Sequence, residues 1–398
     1  MRVLVNTTTM FIGGGIQAAT HFLLQAKQHE AEHEWCLALS SKVFREVEKF
    51  GVPRSDVVHV FDKSPAHDLA GRRRLEQLEK DFRADCVFTI YGPAYANFKA
   101  PHLLGCVEPW ITHSTWMAYR TKLFPWGWIG RGLLSMYKSR WFRRADAWVT
   151  EAESARQGLN QRLNIPLEDV AVIPNTCGQH YLDAQETRQF PTSSDKVRFL
   201  FFTAPYKHKR LHFLPYVAKE LSVRDPKLKF EFVITLPAGD PKLKKVMAAA
   251  RSLGVVHLIN NAGPIPVAEG PDIYRSCNVC FLPSVLETFS ASYPEAMAMG
   301  LPIVTTDLGF AHDACRDAAL YFKPNDPKSA ADKILSLLRD ERLWSELLAK
   351  GKNVLRTLPT TSQKYDLYMD LLHRLGESGR IPDKTRGENN ACRGEPVR

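Results

Sequence analysis

Two carboxylates eight positions apart, Glu287 and Glu295, are the side chains of this sequence best suited to chemistry. Thr288, Phe289 and Ser290 lie between them, just before a predicted helix. Because the first N–H groups of a helix have no partner within it, they attract anions such as a diphosphate. A carboxylate beside that anion can accept hydrogen bonds from sugar hydroxyl groups. One interpretation of these residues is therefore a site where backbone N–H groups meet phosphate and a carboxylate meets a sugar or ribose; the spacing of the two glutamates does not establish it by itself.

The elements around the pair agree with this interpretation. The apolar run at residues 279–282 predicts a buried strand, and residues 303–306 predict the next one. Gly300 stands where a helix end needs a left-handed residue, and Pro302 prevents the helix from continuing. The loop between strand and helix therefore opens at the carboxyl end of a parallel strand, where open α/β sheets bind ligands.

Another interpretation of Glu295 is purely structural. Ser292, Tyr293, Pro294 and Glu295 also fit a capping box, in which the glutamate only closes the start of the helix. The sequence alone leaves this alternative open.

The string from Glu287 to Thr306, ETFSASYPEAMAMGLPIVTT, resembles the Glu-x7-Glu signature of glycosyltransferase family 4, whose members are retaining enzymes with the GT-B fold. In that family the first Glu faces the donor sugar and the second binds the ribose of the nucleotide. The resemblance therefore implies a catalytic role for Glu287 and a donor-binding role for Glu295.

The same resemblance extends to the first domain. Gly14 and Gly15, which follow Gly13 in the first strand-to-helix loop, match a family Gly-Gly loop near the donor phosphates, although a flexible surface turn is the alternative. His113 follows a predicted strand at about the place where family relatives have a His close to the donor sugar. An imidazole there could donate to a sugar hydroxyl or to the reaction centre, but a His in a loop can equally be plain surface.

In the second domain the family places an Arg and, five residues later, a Lys on the donor diphosphate. Lys209 matches the Lys, but Ala204 stands where the Arg is expected. Lys207 or Arg210 could supply the missing positive charge. The loop at residues 261–266, which contains Ile265, resembles the family loop whose backbone meets the nucleobase.

Length and composition favour two domains of a soluble globular protein. The chain has 398 residues, of which 44% are hydrophobic and 24% charged. Predicted strands alternate with helices in both halves, which indicates two Rossmann-like, doubly wound parallel sheets, and the resemblance implies that they face each other across a cleft. The predicted division is as follows: 1–183 an acceptor-side domain, 184–196 a linker, 197–358 a nucleotide-sugar donor domain, 359–375 a helix returning to the first domain, and 376–398 a disordered tail.

The segment from Trp116 to Arg144 interleaves aromatic residues with Arg and Lys and contains no Asp or Glu. This mixture suits the surface of an anionic membrane or a lipid-linked acceptor. An alternative is an aromatic helix packed inside the domain with its arginines reaching out to solvent. Single-stranded nucleic acid can use the same residues but is disfavoured as a partner. The net charge of +10 indicates an anionic partner without choosing among these.

Other sequence features argue against a disulfide-stabilised protein, a membrane-spanning protein and a metal-dependent enzyme. The eight cysteines are scattered in apolar runs, as in reduced cytosolic proteins. No run is long and apolar enough for a membrane span, and Met1 leads directly into a strand, so no signal peptide is expected. The expected location is the cytoplasm, with peripheral attachment to the inner face of the membrane as an option. No Asp-x-Asp or metal-ligand cluster is present, so neither metal nor other cofactor is expected.

These observations predict a retaining glycosyltransferase that moves a sugar from a nucleotide-sugar donor to a saccharide or lipid-linked saccharide in cell-envelope or polysaccharide biosynthesis. Two alternatives remain. One is a nucleotide-sugar epimerase on the same fold, which would need no acceptor surface. The other is a catalytically silent sugar-nucleotide or membrane-binding module, which the missing Arg would favour.

Overall fold

The computed structural model describes residues 1–11, 14–29, 31–51, 57–121, 124–186, 188–192, 194–203, 205–266 and 269–381. The chain divides into two compact units. Unit 1 consists of Met1–Thr112, Arg131–Ile173 and the described part of Thr361–Arg398, and unit 2 consists of His113–Gly130 and Pro174–Thr360.

Unit 1 is built on one parallel sheet of seven strands in the order β3-β2-β1-β4-β5-β6-β7. The strands are β1 Arg2–Asn6, β2 Glu34–Ser40, β3 Val58–Phe61, β4 Cys86–Thr89, β5 His102–Gly105, β6 Ala147–Thr150 and β7 Val170–Val172. The helices are α1 Gly15–Gln28, α2 Ser41–Glu48, α3 Leu69–Phe82, α4 Pro109–Thr112, α5 Trp116–Tyr119, α6 Trp126–Phe142 and α7 Glu153–Leu163, where α5 and the first turn of α6 fall in the segment assigned to unit 2. Val3, Leu4 and Val5 are fully buried on β1, an inner strand of the sheet, as expected where helices cover both faces.

Unit 2 repeats this plan with six parallel strands in the order β10-β9-β8-β11-β12-β13. The strands are β8 Val197–Phe201, β9 Phe230–Ile234, β10 Ile259–Asn261, β11 Val279–Leu282, β12 Ile303–Thr306 and β13 Ala319–Phe322. The helices are α8 Gln179–Asp183, α9 Leu214–Arg224, α10 Pro241–Ser252, α11 Gly270–Arg275, α12 Ser292–Ala298, α13 Gly309–Cys315, α14 Pro327–Arg339 and α15 Glu341–Arg356. Both sheets therefore have the Rossmann strand order, and the predicted fold class is confirmed.

The last helix, α16 Thr361–Ser378, belongs to unit 1. Tyr365, Tyr368 and Leu372 enter the same hydrophobic core as residues of α1 and β4. The ring of Tyr368 lies 5.1 Å from that of Phe88 on β4. A helix at the end of the described chain thus completes the core that the first strands begin.

The structure corrects some sequence predictions. The mostly apolar run at residues 255–259 indicates a strand by its composition, but Val256–Leu258 is a 3₁₀ turn and β10 begins only at Ile259. The N–H of Leu258 bonds to the carbonyl of Val255, so these apolar residues pack as a turn and not as an extended run. Helix α16 continues through Ser378, so the predicted disorder from residue 376 is wrong for its first residues; the remainder, residues 382–398, lies outside the described residues.

Two segments group differently from the predicted division. Residues 174–183 fall in unit 2, where α8 packs against α11 and α12, and the ring of Tyr181 meets that of Tyr274 edge-on at 5.6 Å. Residues 113–130 also group with unit 2, in which His113 contacts the backbone carbonyl of Glu287.

The described cysteines are all buried and form no disulfide, and burial raises the pKa of each of their thiols. Among the helices of the described residues, none has the length and apolarity needed to cross a membrane.

Candidate active site

The loop that carries the two carboxylates lies at the point where the strand order of unit 2 reverses. β8 and β11 are neighbours at the centre of the sheet, and the chain continues from β8 toward one edge and from β11 toward the other. Loops that follow two such strands diverge and leave a crevice at their carboxyl ends. Lys209 follows β8 and Glu287 follows β11, so both flank this switch point.

Lys209 and Glu287 form an ion pair at the switch point. The Nζ atom of Lys209 lies 2.5 Å from Oε1 of Glu287, and both side chains are largely shielded from solvent. The two loops are also joined through their backbones, because the N–H of Val285 donates to the carbonyl of His208 at 2.9 Å. A positive and a negative group are therefore held together where two loops meet, in a place with little water to screen them.

Glu295 is buried on the first turns of α12, and its partner is a tyrosine. The hydroxyl of Tyr274 on α11 donates to Oε2 of Glu295 at 2.6 Å. Burial raises the pKa of Glu295 to about 7, although the Tyr274 hydrogen bond and the charge of Lys209 act in the opposite direction. The helix start has no side-chain cap, so Glu295 is not the closing member of a capping box. The structural alternative from the sequence is therefore wrong.

Thr288, Phe289 and Ser290 are all buried in the loop before α12. The carbonyl of Ser290 accepts from the N–H of Tyr293, which shapes the entry into the helix. The helix begins at Ser292 and runs for seven residues, so the three residues precede its first turn.

Arg210 is the second cation beside the Lys209 loop. Its backbone is left-handed, with φ of 58°, and its Nε atom is buried without a hydrogen-bond partner among the described residues. Burial lowers the pKa of Arg210, and the nearby charge of Arg120 lowers it further. A buried guanidinium nitrogen without a partner is suited to an anion. Ala204, the position where the family Arg is missing, lies outside the described residues.

His113 is brought next to the carboxylate loop. Its Nε2 atom contacts the backbone carbonyl of Glu287, and its ring lies 6.3 Å from that of Phe310 in a stacked orientation. A ring nitrogen bonded to a carbonyl must carry the proton, so Nε2 is the donor in this arrangement. The structure therefore groups His113 with Glu287, Lys209 and Glu295.

The remaining predicted residues lie elsewhere. Ile265 is half-buried in the loop after β10 and packs against the core of unit 2. Gly14 and Gly15 belong to unit 1, at the start of α1. A Cβ on Gly15 would lie 3.0 Å from Met10 and 3.2 Å from Tyr91, whereas a Cβ on Gly14 would meet open space; Gly13 lies outside the described residues. Within the described residues, no group of three or more His, Cys, Asp or Glu is arranged to hold a metal ion.

Sequence reasoning missed Tyr274, the hydrogen-bond donor to Glu295. A tyrosine in a six-residue helix carries no motif, and its role depends on α11 packing beside α12. Gly270 on the same helix lies so close to Tyr181 that an added Cβ would be 2.0 Å from the tyrosine hydroxyl. The apolar packing of this region indicates only a buried helix, not a polar contact.

Comparison with known proteins agrees with this architecture. A family model described as Glycosyltransferase Family 4 matches residues 13–177, and one described as Glycosyl transferases group 1 matches residues 196–340. Together they span most of both units. The chain therefore belongs to this glycosyltransferase family.

Individual relatives are more distant. Sucrose-phosphate synthase of Spinacia oleracea is 40% identical over 94 residues, which is 22% of this chain and 9% of that protein. D-inositol 3-phosphate glycosyltransferase of Thermomonospora curvata is 30% identical over 134 residues, 32% of this chain and 31% of that protein. This chain thus matches less than a third of either relative's length.

A solved structure matches almost the whole chain. HepE of Anabaena, determined in complex with UDP-glucose, superposes with a TM-score of 0.72 at 15% identity, over 94% of this chain and 100% of HepE. At this identity the likeness shows the fold, and the fold is GT-B.

Proposed function

We propose that this protein transfers a sugar, with retention of configuration at the anomeric carbon, from a nucleotide-sugar donor to a saccharide or lipid-linked saccharide acceptor in cell-envelope or polysaccharide biosynthesis. The observation that carries the proposal is the cluster at the switch point of unit 2. There, Glu295 is buried beside the ion pair of Lys209 and Glu287.

The diphosphate of the donor requires positive charge where the sugar–oxygen bond breaks. Lys209 and Arg210 supply it from one loop, and the buried Nε of Arg210 has no competing partner among the described residues. Negative charge grows on the diphosphate as it leaves, and fixed cations in a dry site stabilise that charge most strongly as the bond breaks. The same residues can therefore bind the donor and lower the barrier without a metal ion.

The two glutamates bind different parts of the donor. In this proposal Glu287 holds the donor sugar and stabilises positive charge that develops at its anomeric carbon. Glu295 accepts hydrogen bonds from the nucleotide ribose. His113 donates from Nε2 to the carbonyl of Glu287, so it positions the loop and is available to a sugar hydroxyl when that bond is exchanged.

A ligand-binding panel tests the donor site. UDP, GDP, ADP and TDP, each with a matching sugar nucleotide, are added to the wild type and to Glu295→Ala while the thermal midpoint is measured. A ligand that binds only the folded state raises the midpoint. UDP-glucose is the first choice because the Anabaena relative was solved with it. We expect one nucleotide to give a shift that Glu295→Ala removes and that Glu231→Ala, a carboxylate outside the cluster, retains.

Turnover then separates the alternatives. Once the donor is known, the anomeric configuration of the product is read by NMR, and inversion would contradict the retaining mechanism. Conversion of the donor without any acceptor would indicate an epimerase. No shift from any nucleotide would favour a silent module, and unchanged turnover by Glu287→Ala would remove Glu287 from the catalytic site.

A further inference from the structure

Helix α6 turns its apolar side chains toward solvent. Trp126, Ile129, Leu133 and Met136 are 79%, 51%, 61% and 70% exposed. They follow one another at spacings of three, four and three residues, which places them along one face of the helix. We call these four residues the α6 stripe. A surface helix of a globular protein ordinarily buries such a face, whereas α6 exposes it to solvent.

The opposite face of α6 makes the contacts with the rest of the protein. Arg131 stacks on the ring of Trp110 at 4.4 Å, and Lys138 forms an ion pair with Glu108. Phe142 is the buried residue of the helix. Trp141 also meets the ring of Tyr95, at 5.9 Å. These cations and aromatic rings attach the helix to the protein, whereas the stripe faces solvent. In the second half of α6, Tyr137 and Trp141 pack against the ring of Tyr95. The alternative left open by the sequence, an aromatic helix packed on the domain with its arginines outward, therefore describes this half of α6 but not the stripe.

Aromatic residues just before α6 extend the apolar surface. Trp116 and Phe124 are exposed, and both rings meet Trp128 edge-on, at 4.5 and 4.9 Å. Tryptophan has an apolar body and one N–H group, which suits the boundary between water and lipid. The cluster is therefore of the kind that lies at the level of lipid headgroups.

The segment that carries the stripe has charges of a single sign. Residues 116–144 contain no Asp or Glu, and Arg120, Arg140, Arg143 and Arg144 are exposed. Arg140 continues the line of the α6 stripe one turn beyond Met136. Apolar side chains surrounded by cations complement a surface with an apolar interior and anionic headgroups.

We propose that the α6 stripe docks this enzyme on the surface of an anionic lipid bilayer. The helix lies along the interface with Trp126, Ile129, Leu133 and Met136 inserted below the headgroups, while the exposed arginines meet lipid phosphates. This proposal specifies how a lipid-linked acceptor would be reached, but the docking itself does not rest on the donor site described above.

Vesicle binding tests the proposal. The full chain is sedimented with vesicles of equal parts phosphatidylglycerol and phosphatidylcholine, and with vesicles of phosphatidylcholine alone. We expect binding to the anionic vesicles that weakens as salt is added, together with a blue shift of tryptophan fluorescence. Leu133→Glu and Met136→Glu should each reduce the apparent affinity by about tenfold or more, because each removes one inserted side chain.

Matched controls separate docking from folding. Val223→Glu and Leu367→Glu introduce the same charge at exposed apolar positions outside residues 116–144, and both should bind vesicles as the wild type does. Thermal midpoints and nucleotide binding report whether each variant is folded with its donor site intact, so failure of docking and failure of the donor site give different results.

Three outcomes would overturn the proposal. The first is no binding to anionic vesicles by a folded wild type. The second is equal loss of binding in the stripe variants and in Val223→Glu. The third is a dimer of the wild type that Leu133→Glu converts to a monomer without any vesicle binding, which would assign the stripe to a second copy of the chain.

Discussion

Replacing Glu295 with Gln should change the pH dependence of stability. Burial raises the pKa of Glu295 from its ordinary value of 4.5 to about 7, so the folded protein holds a proton there that the unfolded chain has released. Each pKa unit corresponds to about 1.4 kcal/mol. Ionising this carboxyl in the folded state therefore costs about 3 kcal/mol relative to the unfolded chain at a pH above both values.

The sign of the effect follows from proton binding. Between the two pKa values the folded state binds more protons than the unfolded state, so the free energy of unfolding falls as the pH rises through this window. Gln resembles the protonated carboxyl and can still accept from Tyr274, but it never ionises. We expect Glu295→Gln to match the wild type near pH 4.5 and to exceed it by about 3 kcal/mol near pH 8.

Urea unfolding of both proteins over this pH range is the assay. Glu231→Gln is the matched control with the opposite sign. Burial alone would raise the pKa of Glu231, but hydrogen bonds from Lys196 and Arg198 outweigh it and hold the pKa below its ordinary value. That variant should be less stable than the wild type at neutral pH and recover as the pH falls. A difference between Glu295→Gln and wild type that does not vary with pH would refute the reasoning.

Three further outcomes are expected from the same region. Lys209→Met should destabilise the protein by about 3 kcal/mol because it leaves the shielded Glu287 carboxylate unpaired, and adding Glu287→Gln should restore most of the loss in the same unfolding assay. Gly300→Ala should lower the free energy of unfolding by about 2 kcal/mol or more, because φ is 65° and the new Cβ would lie 2.4 Å from a backbone carbonyl, whereas Gly239→Ala, which meets open space, should change little. If Glu295 accepts ribose hydroxyls as a carboxylate, calorimetry should show donor affinity falling as the pH drops below about 7, and Glu295→Gln should lack this dependence.

Much of unit 2 could be predicted because local signals and the fold agree. The strands Val279–Leu282 and Ile303–Thr306 are buried and each adjoins a proline, and they occur where the sequence predicts them. Gly300 has the left-handed backbone predicted for the helix end, with φ of 65°. A sequence motif of this kind describes one strand–loop–helix–strand unit, so its geometry is set within about thirty residues.

The contacts between distant segments could not be predicted in this way. Tyr274 reaches Glu295 only because α11 packs beside α12, and no local pattern encodes that placement. That the apolar face of α6 is exposed could not be predicted for a related reason. Its apolar stripe has the period of an ordinary amphipathic helix, and contacts with distant residues, such as those of Arg131 with Trp110 and Lys138 with Glu108, show which side faces the protein.

The position of α16 has a consequence for how the protein is made. The core of unit 1 contains Tyr365, Tyr368 and Leu372, yet its other segments end at residue 173, so roughly 190 residues separate the two parts. At a synthesis rate of about 5–20 residues per second, the apolar face that α16 covers stays open on the ribosome for about 10–40 seconds. Unit 2 is completed during that interval, since its last residue precedes α16. Unit 1 is therefore the first unit whose synthesis begins and the last whose core is completed. Until α16 has been synthesised, the uncovered apolar face of unit 1 is a target for chaperones.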